Sequence, residues 1–373
     1  MTERVLITGG AGFIGSHIAD ELLAAGYAVR ALDNLHPQVH PRREWPDYLA
    51  REVERVEGDV RDRDACARAL DGVDVVVHQA ARVGVGQSQY AIEDYVDANV
   101  RGTATLLDVI AARRGRVRKI LVAASMSSYG EGRYRCPACH RDLAGPGRTP
   151  ERLAAHEWEP ACPACGAALE AVPTDETTPQ TSTSVYAFTK RAQEELTLVF
   201  GRTYGIPAVA LRYFNVYGPR QSLSNPYTGV AAIFLSRLKN GKPPVVYEDG
   251  GQRRDFVSVH DIARANLAAI RGSGADGLAV NVGSGHVTTV LDIAHTAARL
   301  LGSAVAPEVT NAFRNGDVRH CFADVGLLAR TLGFRAQVSF EQGFEELVAW
   351  AASADAADSF AAAEAALRAR GLL

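Results

Sequence analysis

Residues Val5–Ser16, VLITGGAGFIGS, pass from a short apolar run into three spaced glycines and then into a helical pattern. That order specifies a strand, a tight loop and a helix. Gly9, Gly12 and Gly15 let the loop turn sharply, let a pyrophosphate approach bare backbone, and let the helix pack closely on the strand. The unpaired amides of the first helical turn then face outward, and the helix dipole favours an anion there by about 0.3 to 1 kcal/mol. A plain glycine turn would carry the same letters. What argues for a dinucleotide is Asp33, which closes the next apolar run, Tyr27 to Leu32, where a ribose-binding carboxylate stands. Its charge would bond ribose hydroxyls and repel a 2′-phosphate, so NAD is expected rather than NADP.

Further strand-like runs follow at Val53–Val56, Val73–His78 and Ile120–Ala124, alternating with helical patterns. This alternation predicts an α/β fold, a Rossmann-like doubly wound parallel sheet covered by helices on both faces. Glu93–Arg113, with Val96, Val100, Leu106, Leu107 and Ile110 at helical spacing, reads as a long crossover helix. Ligands belong beyond the carboxyl ends of the strands, where Asp59, His78 to Ala81 and Ser125 fall. Composition shifts at Arg133–Pro173, rich in Cys, Pro and Arg, and in an alanine-rich tail after Trp350 that reads as a surface helix.

The 373 residues, 47% of them apolar, are enough for two domains around a large core. With 40 basic and 43 acidic residues interspersed, the net charge is -3 and no footprint for nucleic acid or an anionic membrane is visible. No apolar stretch approaches the roughly 20 residues that span a bilayer, so a soluble cytoplasmic protein is expected. Cys66 and Cys321 stand alone and read as small buried residues.

Tyr186 and Lys190, in SVYAFTKRAQEEL, lie four apart and share one face of a helix. An ammonium beside the phenol would stabilise its anion. A free tyrosine titrates near about 10, and each unit of depression needs about 1.4 kcal/mol, which Lys190 and a cationic nicotinamide could supply together. The resulting phenolate is a general base for a sugar hydroxyl. Such pairs are common on helix surfaces. Here the pair follows a dinucleotide loop and a serine at a strand end, and that context favours catalysis.

Taken with TGGAGFIGS, DNL at Asp33, GDVRD at Asp59, HQAA at His78 and NVRGT at Asn99, the chain resembles the extended short-chain dehydrogenases that act on nucleotide sugars. The resemblance covers most of residues 1 to 350. It implies a cofactor site of Gly9, Gly12, Phe13, Ile14, Gly15, Asp33, Asn34, Asp59, Val60, Gln79, Ala80, Ala81 and Asn99 with Tyr186 and Lys190, and a catalytic set of Ser125, Tyr186 and Lys190. The segments RYFNVYGPRQ, GGQRRDFVSVHD and RNGDVRH look like the family's substrate segments. By resemblance, Asn215, Arg254, Arg314 and Asp317 meet the nucleoside diphosphate, with Ser125 and Ser127 at the sugar and the arginines neutralising charge. It also implies a homodimer packed through the crossover helix and the Tyr186 helix, whose outer faces would be apolar. The expected organisation is an NAD-binding domain over 1–132 and 173–218, an insertion over 133–172, and a mainly substrate-binding part over 219–373 from which 253–271 returns to the first domain.

In SMSSYG, Ser125 to Gly130, a dehydratase of this type would carry an Asp and a Glu after the first hydroxyl residue, and a decarboxylase a Glu at Ser127. Met126 and Ser127 stand there instead. What remains is hydride removal from sugar C4 and its return to the other face, a 4-epimerisation with no net redox change. Nothing in the sequence separates thymidine from uridine or guanosine carriers, or a 6-deoxy sugar from a hexose or uronic acid.

Ser125 and Tyr186 are 61 residues apart, and the added segment holds CPAC and CPACG, Cys136, Cys139, Cys162 and Cys165, with 22 residues between the pairs. Two such knuckles can converge on one tetrahedral zinc with no open position, hence structural rather than catalytic. Disulfides or free thiols are the alternatives, and a reducing cytosol disfavours the first. His140 and His156 read as surface residues. The insertion and GEGRYRC resemble a bacterial branch described as dTDP-L-rhamnose 4-epimerases. A non-catalytic NAD-binding protein recruiting a partner through the knuckle is the competing reading, against which the intact Ser125, Tyr186 and Lys190 argue.

Overall fold

The computed structural model describes residues 2–113, 115–314, 317–354 and 356–372. Seven parallel strands form the central sheet: β1 Arg4–Thr8, β2 Ala28–Asp33, β3 Glu54–Glu57, β4 Val75–His78, β5 Lys119–Ser125, β6 Ala208–Tyr213 and β7 Ala279–Val282. Their order is β3-β2-β1-β4-β5-β6-β7. The chain reverses direction across the sheet between β1 and β4, so a crevice opens beyond the carboxyl ends of those two strands.

Side-chain alternation gives each face its own core. Val5, Ile7, Val75, Val77, Leu121 and Leu211 pack with Ile18 and Leu22 of the helix Phe13–Ala24 and with Ile262 and Ala269 of the helix Val259–Arg271. Leu6, Leu32, Val76 and Ile120 point the other way, onto Cys66, Leu106, Leu107, Ile110 and Phe200. Each fully buried Val, Leu or Ile contributes about 1.5 to 3 kcal/mol, which fixes strand register because a one-residue slip would turn the set outward. A further core, with Phe234, Phe256, Ile293, Ala297, Phe344 and Leu347, gathers residues from Tyr217 onward.

The crossover is continuous from Ile92 to Ala112, but Val96–Arg101 widens into a π turn between two α segments. This turn brings Asn99 into the interior, fully buried. The inserted segment makes its own antiparallel sheet, with Arg133–Arg135 between Asp142–Ala144 and Glu170–Val172, plus a short helix Pro150–Ala154 capped by Thr149.

The tail departs from the sequence reading. Phe360–Arg368 is helical, yet Phe360, Ala363 and Leu367 are buried rather than facing solvent. Arg237 lies 4.6 Å from the Phe360 ring centre, and Arg370 lies 4.4 Å from that of Tyr90. Spacing of three and four residues puts these apolar groups on one stripe, and the stripe has found a partner far away in sequence. Among the described residues, no helix is long and apolar enough to cross a membrane.

Candidate active site

A cavity of about 700 Å³ lies beyond the carboxyl ends of the strands. One wall is the glycine loop. A side chain at Gly15 would run into the Gly9 carbonyl and the Gly10 backbone, and one at Gly9, whose φ is +71°, would meet the Ala80 amide at 2.9 Å. At Gly12 a Cβ would meet only the Gly9 carbonyl, at 3.3 Å, so the first turn of the helix stays bare toward the cavity. Gly12 is that helix's N-cap and offers no side-chain bond to the free amides, which fits a pyrophosphate.

Asp33 ends β2, with one carboxylate oxygen accepting from the Ala11 amide at 3.0 Å and the other from Leu35 at 2.9 Å. Burial raises its pKa, and these bonds and His40 oppose that shift. Asn34 donates to Asp59 at 2.8 Å, and Arg61 pairs with the same carboxylate at 2.8 Å. Against the cost of its burial, those bonds hold the Asp59 carboxyl down at about 2. Phe13, Ile14, Val60, Gln79, Ala80 and Ala81 complete this end of the lining.

Two residues expected there stand behind the wall instead. His78 is buried between Thr8, 2.7 Å from Nδ1, and Thr103, 2.9 Å from Nε2. Burial pushes its imidazole down to about 3, so it is a neutral strut and not a ligand-side group. Asn99 does not line the cavity. Its oxygen accepts from the Arg82 amide at 2.6 Å and its amide donates to Thr189 at 2.9 Å, so it fixes the loop after β4.

At the reacting end, β5 delivers Ser125 and a helix, Val185–Tyr204, delivers Tyr186 and Lys190. Ser184 starts that helix by accepting from the Ala187 amide, and Gly205, at φ +68°, ends it. Ser88 accepts from the Tyr186 amide at 3.0 Å, which anchors the first turn to the loop after β4. Burial pushes the Tyr186 phenol up to about 12, while the neighbouring Ser125 hydroxyl pulls the other way. Ser127 donates to Ser125 at 2.9 Å.

Lys190 has a hydrogen-bond partner of its own on the helix. Lys190 Nζ donates to Gln193 Oε1 at 2.8 Å, and burial lowers its pKa to about 7. Burial thus disfavours both the phenolate and the ammonium.

Asn215, Arg254, Arg314 and Asp317 all line the far end of the cavity. Arg254 is partly committed, donating to the carbonyls of Arg253 and Arg319 at 2.9 Å each and to that of Val318. Arg314 lies 4.2 Å from the Tyr247 ring centre. Asn315 and Gly316 of the RNGDVRH motif lie outside the described residues. Among the described residues, five buried polar atoms on cavity residues have no partner: Asn215 Oδ1, Arg220 Nη1, Gln221 Oε1, Gln252 Oε1 and Arg314 Nε. Leaving such atoms unpaired costs about 1 to 3 kcal/mol each, so their concentration marks a place for a polar ligand. The sequence reading quoted the motifs of Arg220, Gln221 and Gln252 without assigning those residues a role. It also missed the tail, whose Phe360, Ala363, Glu364, Leu367 and Leu372 line the same cavity.

The four cysteines of the insertion come together, their sulfurs all within 4.8 Å of one another, with Cys136 to Cys165 at 3.4 Å and Cys139 to Cys162 at 3.7 Å. A tetrahedral zinc with about 2.3 Å bonds spaces its sulfurs about 3.8 Å apart, so the cluster fits one. The two knuckles repeat each other. His140 and Gly166 donate to the carbonyls of Cys136 and Cys162 at 2.9 and 2.8 Å, and both adopt left-handed backbone, φ +56° and +76°. The Cys139 amide donates to Cys136 Sγ at 3.4 Å, a bond that steadies a thiolate ligand. Cys66 and Cys321 are buried singly.

Compared with known sequences, residues 5–152 and 161–283 match the NAD dependent epimerase/dehydratase family, and the chain belongs to that family. Among its relatives, a dTDP-L-rhamnose 4-epimerase of Burkholderia thailandensis is 37% identical over 353 residues, 94% of this chain and 95% of that one. The fold is shared with a UDP-glucose 4-epimerase of Thermotoga maritima solved with UDP-glucose, at TM-score 0.76 and 29% identity over 93% of this chain and 98% of that one. A UDP-glucose 4-epimerase of Thermus thermophilus solved with NAD matches at TM-score 0.74 and 31% identity, over 94% of this chain and the whole of the other.

Proposed function

We propose that the chain is an NAD-dependent nucleotide-sugar 4-epimerase that works through a transient 4-keto sugar. The observation that carries this reading is that Ser125, Tyr186 and Lys190 line the same cavity as the glycine loop, with Tyr186 and Lys190 on one helix. Gly9, Gly12, Gly15, Asp33 and Asp59 would hold NAD, which when bound supplies the acceptor and then the donor of the C4 hydride. Tyr186 takes the proton of the C4 hydroxyl while Ser125 bonds the same oxygen; after the keto sugar has turned over, Tyr186 gives that proton back. Burial holds the phenol near 12 and Lys190 near 7, so positive charge brought beside them on binding would lower the phenol toward the range of a general base.

The nucleoside diphosphate would lie toward Asn215, Arg254, Arg314 and Asp317, where the unpartnered polar atoms gather. A relative 37% identical is named a dTDP-L-rhamnose 4-epimerase, which supports the same substrate class here, dTDP-L-rhamnose or a related 6-deoxy sugar. The thiolate cluster would bind one structural zinc. Ile92 and Val96 on the crossover helix and Phe188 and Val199 on the Tyr186 helix are exposed, which supports a homodimer packed through both.

Tyr186→Phe tests the mechanism. NAD stays bound, and kcat falls by at least about 100-fold for loss of a general base. Near-normal turnover would remove Tyr186 from the chemistry. Incubation with a panel of dTDP-, UDP- and GDP-sugars, read by NMR for inverted C4 couplings, tests the substrate.

A further inference from the structure

The insertion reaches beyond its own cysteines to residues 317–320, the segment that follows Arg314 on the cavity wall. Its first stem supplies Glu131, whose side chain is 6% exposed. That carboxylate accepts from the Arg319 amide at 2.9 and 3.0 Å, from the His320 amide at 3.2 Å and from the Tyr134 hydroxyl at 2.9 Å. Next to it, the Gly132 amide donates to the His320 carbonyl at 2.9 Å. A side chain at Gly132 would strike that carbonyl at 2.9 Å, so the approach of the two backbones needs glycine.

From the middle of the insertion comes Arg148, with its side chain 2% exposed. It donates to the Asp317 carbonyl at 2.9 Å, to Glu248 at 2.7 Å, and lies 3.4 Å from Glu131. Arg319 in turn pairs with Glu248 at 3.0 Å, with Asp249 at 2.7 Å and with Glu159 of the insertion at 2.8 Å. Every charge that is buried here has a partner, and the guanidinium of Arg148 is the one from the insertion that bonds a backbone carbonyl of the 317–320 segment. A fork of five donors can do this in two directions at once, which a lysine cannot.

We infer that Arg148 is a positioning residue for the nucleoside diphosphate: with Glu131 it sets the backbone of residues 317–320, and through it the cavity face that Asp317 and Arg254 present to the substrate. Arg254 depends on the same segment, since its guanidinium bonds the carbonyls of Arg319 and Val318. The inserted module is thus a brace for the nucleotide end of the cavity and not an appendage. This rests on the reading above that the nucleoside diphosphate lies at that end.

The test is calorimetric titration of the zinc-loaded, full-length protein with UDP and with dTDP, then with NAD, alongside steady-state kinetics. Arg148→Met should weaken whichever nucleoside diphosphate the wild type binds by about tenfold and raise KM alike, with kcat within about twofold, NAD affinity unchanged and metal content unchanged. Unchanged nucleotide affinity would overturn the inference. So would an equal loss of NAD affinity, which would mean general damage. Removing one member of a buried charge network can prevent folding. In that event Arg148→Lys, which keeps the charge but cannot span Glu248 and the Asp317 carbonyl, carries the same expectation and the same refutations. Wild-type protein that binds neither UDP nor dTDP would instead refute the functional reading beneath the inference.

Discussion

Behind the glycine loop, the uncharged side chains of Thr8, His78, Thr103 and Gln193 form a chain of hydrogen bonds beside an apolar core. Behind residues 317–320 the support is the reverse: Glu131, Arg148, Glu248 and Arg319 are buried charges, joined to a small module whose own core is three of its cysteines and a few apolar side chains. The first arrangement follows from strand and helix packing and needs no help. A segment of roughly forty residues has too little core to stand alone, so the second depends on thiolates and ion pairs for its shape. The cofactor end of the cavity should therefore yield to steric and acid insults, and the nucleotide end to loss of metal.

Replacing both Cys136 and Cys139 with Ser gives the largest expected effect, because the binding energy of a four-thiolate zinc is folding energy, of order 10 kcal/mol. About one zinc per chain should be lost, with the insertion disordered and kcat/KM down at least about tenfold, while NAD still binds. Metal loss with wild-type kinetics and melting would leave the module without a role in the site. Loss of NAD as well would merge the two regions into one.

Gly15→Ala strikes the other wall. With the Gly9 carbonyl in the way of the new methyl, the loop cannot keep its path, and NAD affinity should fall by about 100-fold or more while zinc content holds. Equal NAD affinity by calorimetry would show that the loop adapts.

Acid should separate the regions as well. Burial holds His78 near 3 and His17 near 4, so the folded chain stays unprotonated on both while the unfolded chain takes up protons near 6.5. Stability is therefore highest above about pH 6.5 and falls as pH drops below it, by about 2 kcal/mol per group at pH 5. Glu159, held near 2 by His320 and Arg319 against the cost of its burial, gives the opposite case. Its contribution is present above the usual glutamate range and is lost only as pH falls toward 2. Denaturant unfolding at pH 7.5 and pH 5 checks this; a flat profile would mean that His17 and His78 are charged when folded.

His140→Gly should produce the smallest change, a gain of about 0.5 to 1 kcal/mol. His140 occupies a left-handed turn where the other knuckle already has Gly166. A loss on thermal melting would mean that the imidazole makes a contact worth more than the strain.

The parts of the molecule legible in the sequence are those whose cause is local. Three glycines, an acid at a strand end, and a tyrosine and lysine one turn apart carry their geometry in their spacing, as do two CPAC knuckles. Asn99 was recognisable, but the π turn that draws it inward to hold Arg82 was not, because its widening depends on packing rather than on helical period. The tail helix shows only Phe360, Ala363 and Leu367 against a field of alanines, and what it covers, near Gly86 and Tyr90, lies more than 250 residues away. Glu131, Arg148, Glu159 and Arg319 read singly as solvated charges; only the fold brings them together.

The most direct measurement of the catalytic account uses a nucleotide sugar carrying deuterium at C4, converted in ordinary water and read by NMR. The account predicts that the product, identified as the C4 epimer by its chemical shifts, retains the label at C4, because hydride never leaves the site. Product with hydrogen at C4 drawn from solvent would contradict it and point to enolisation.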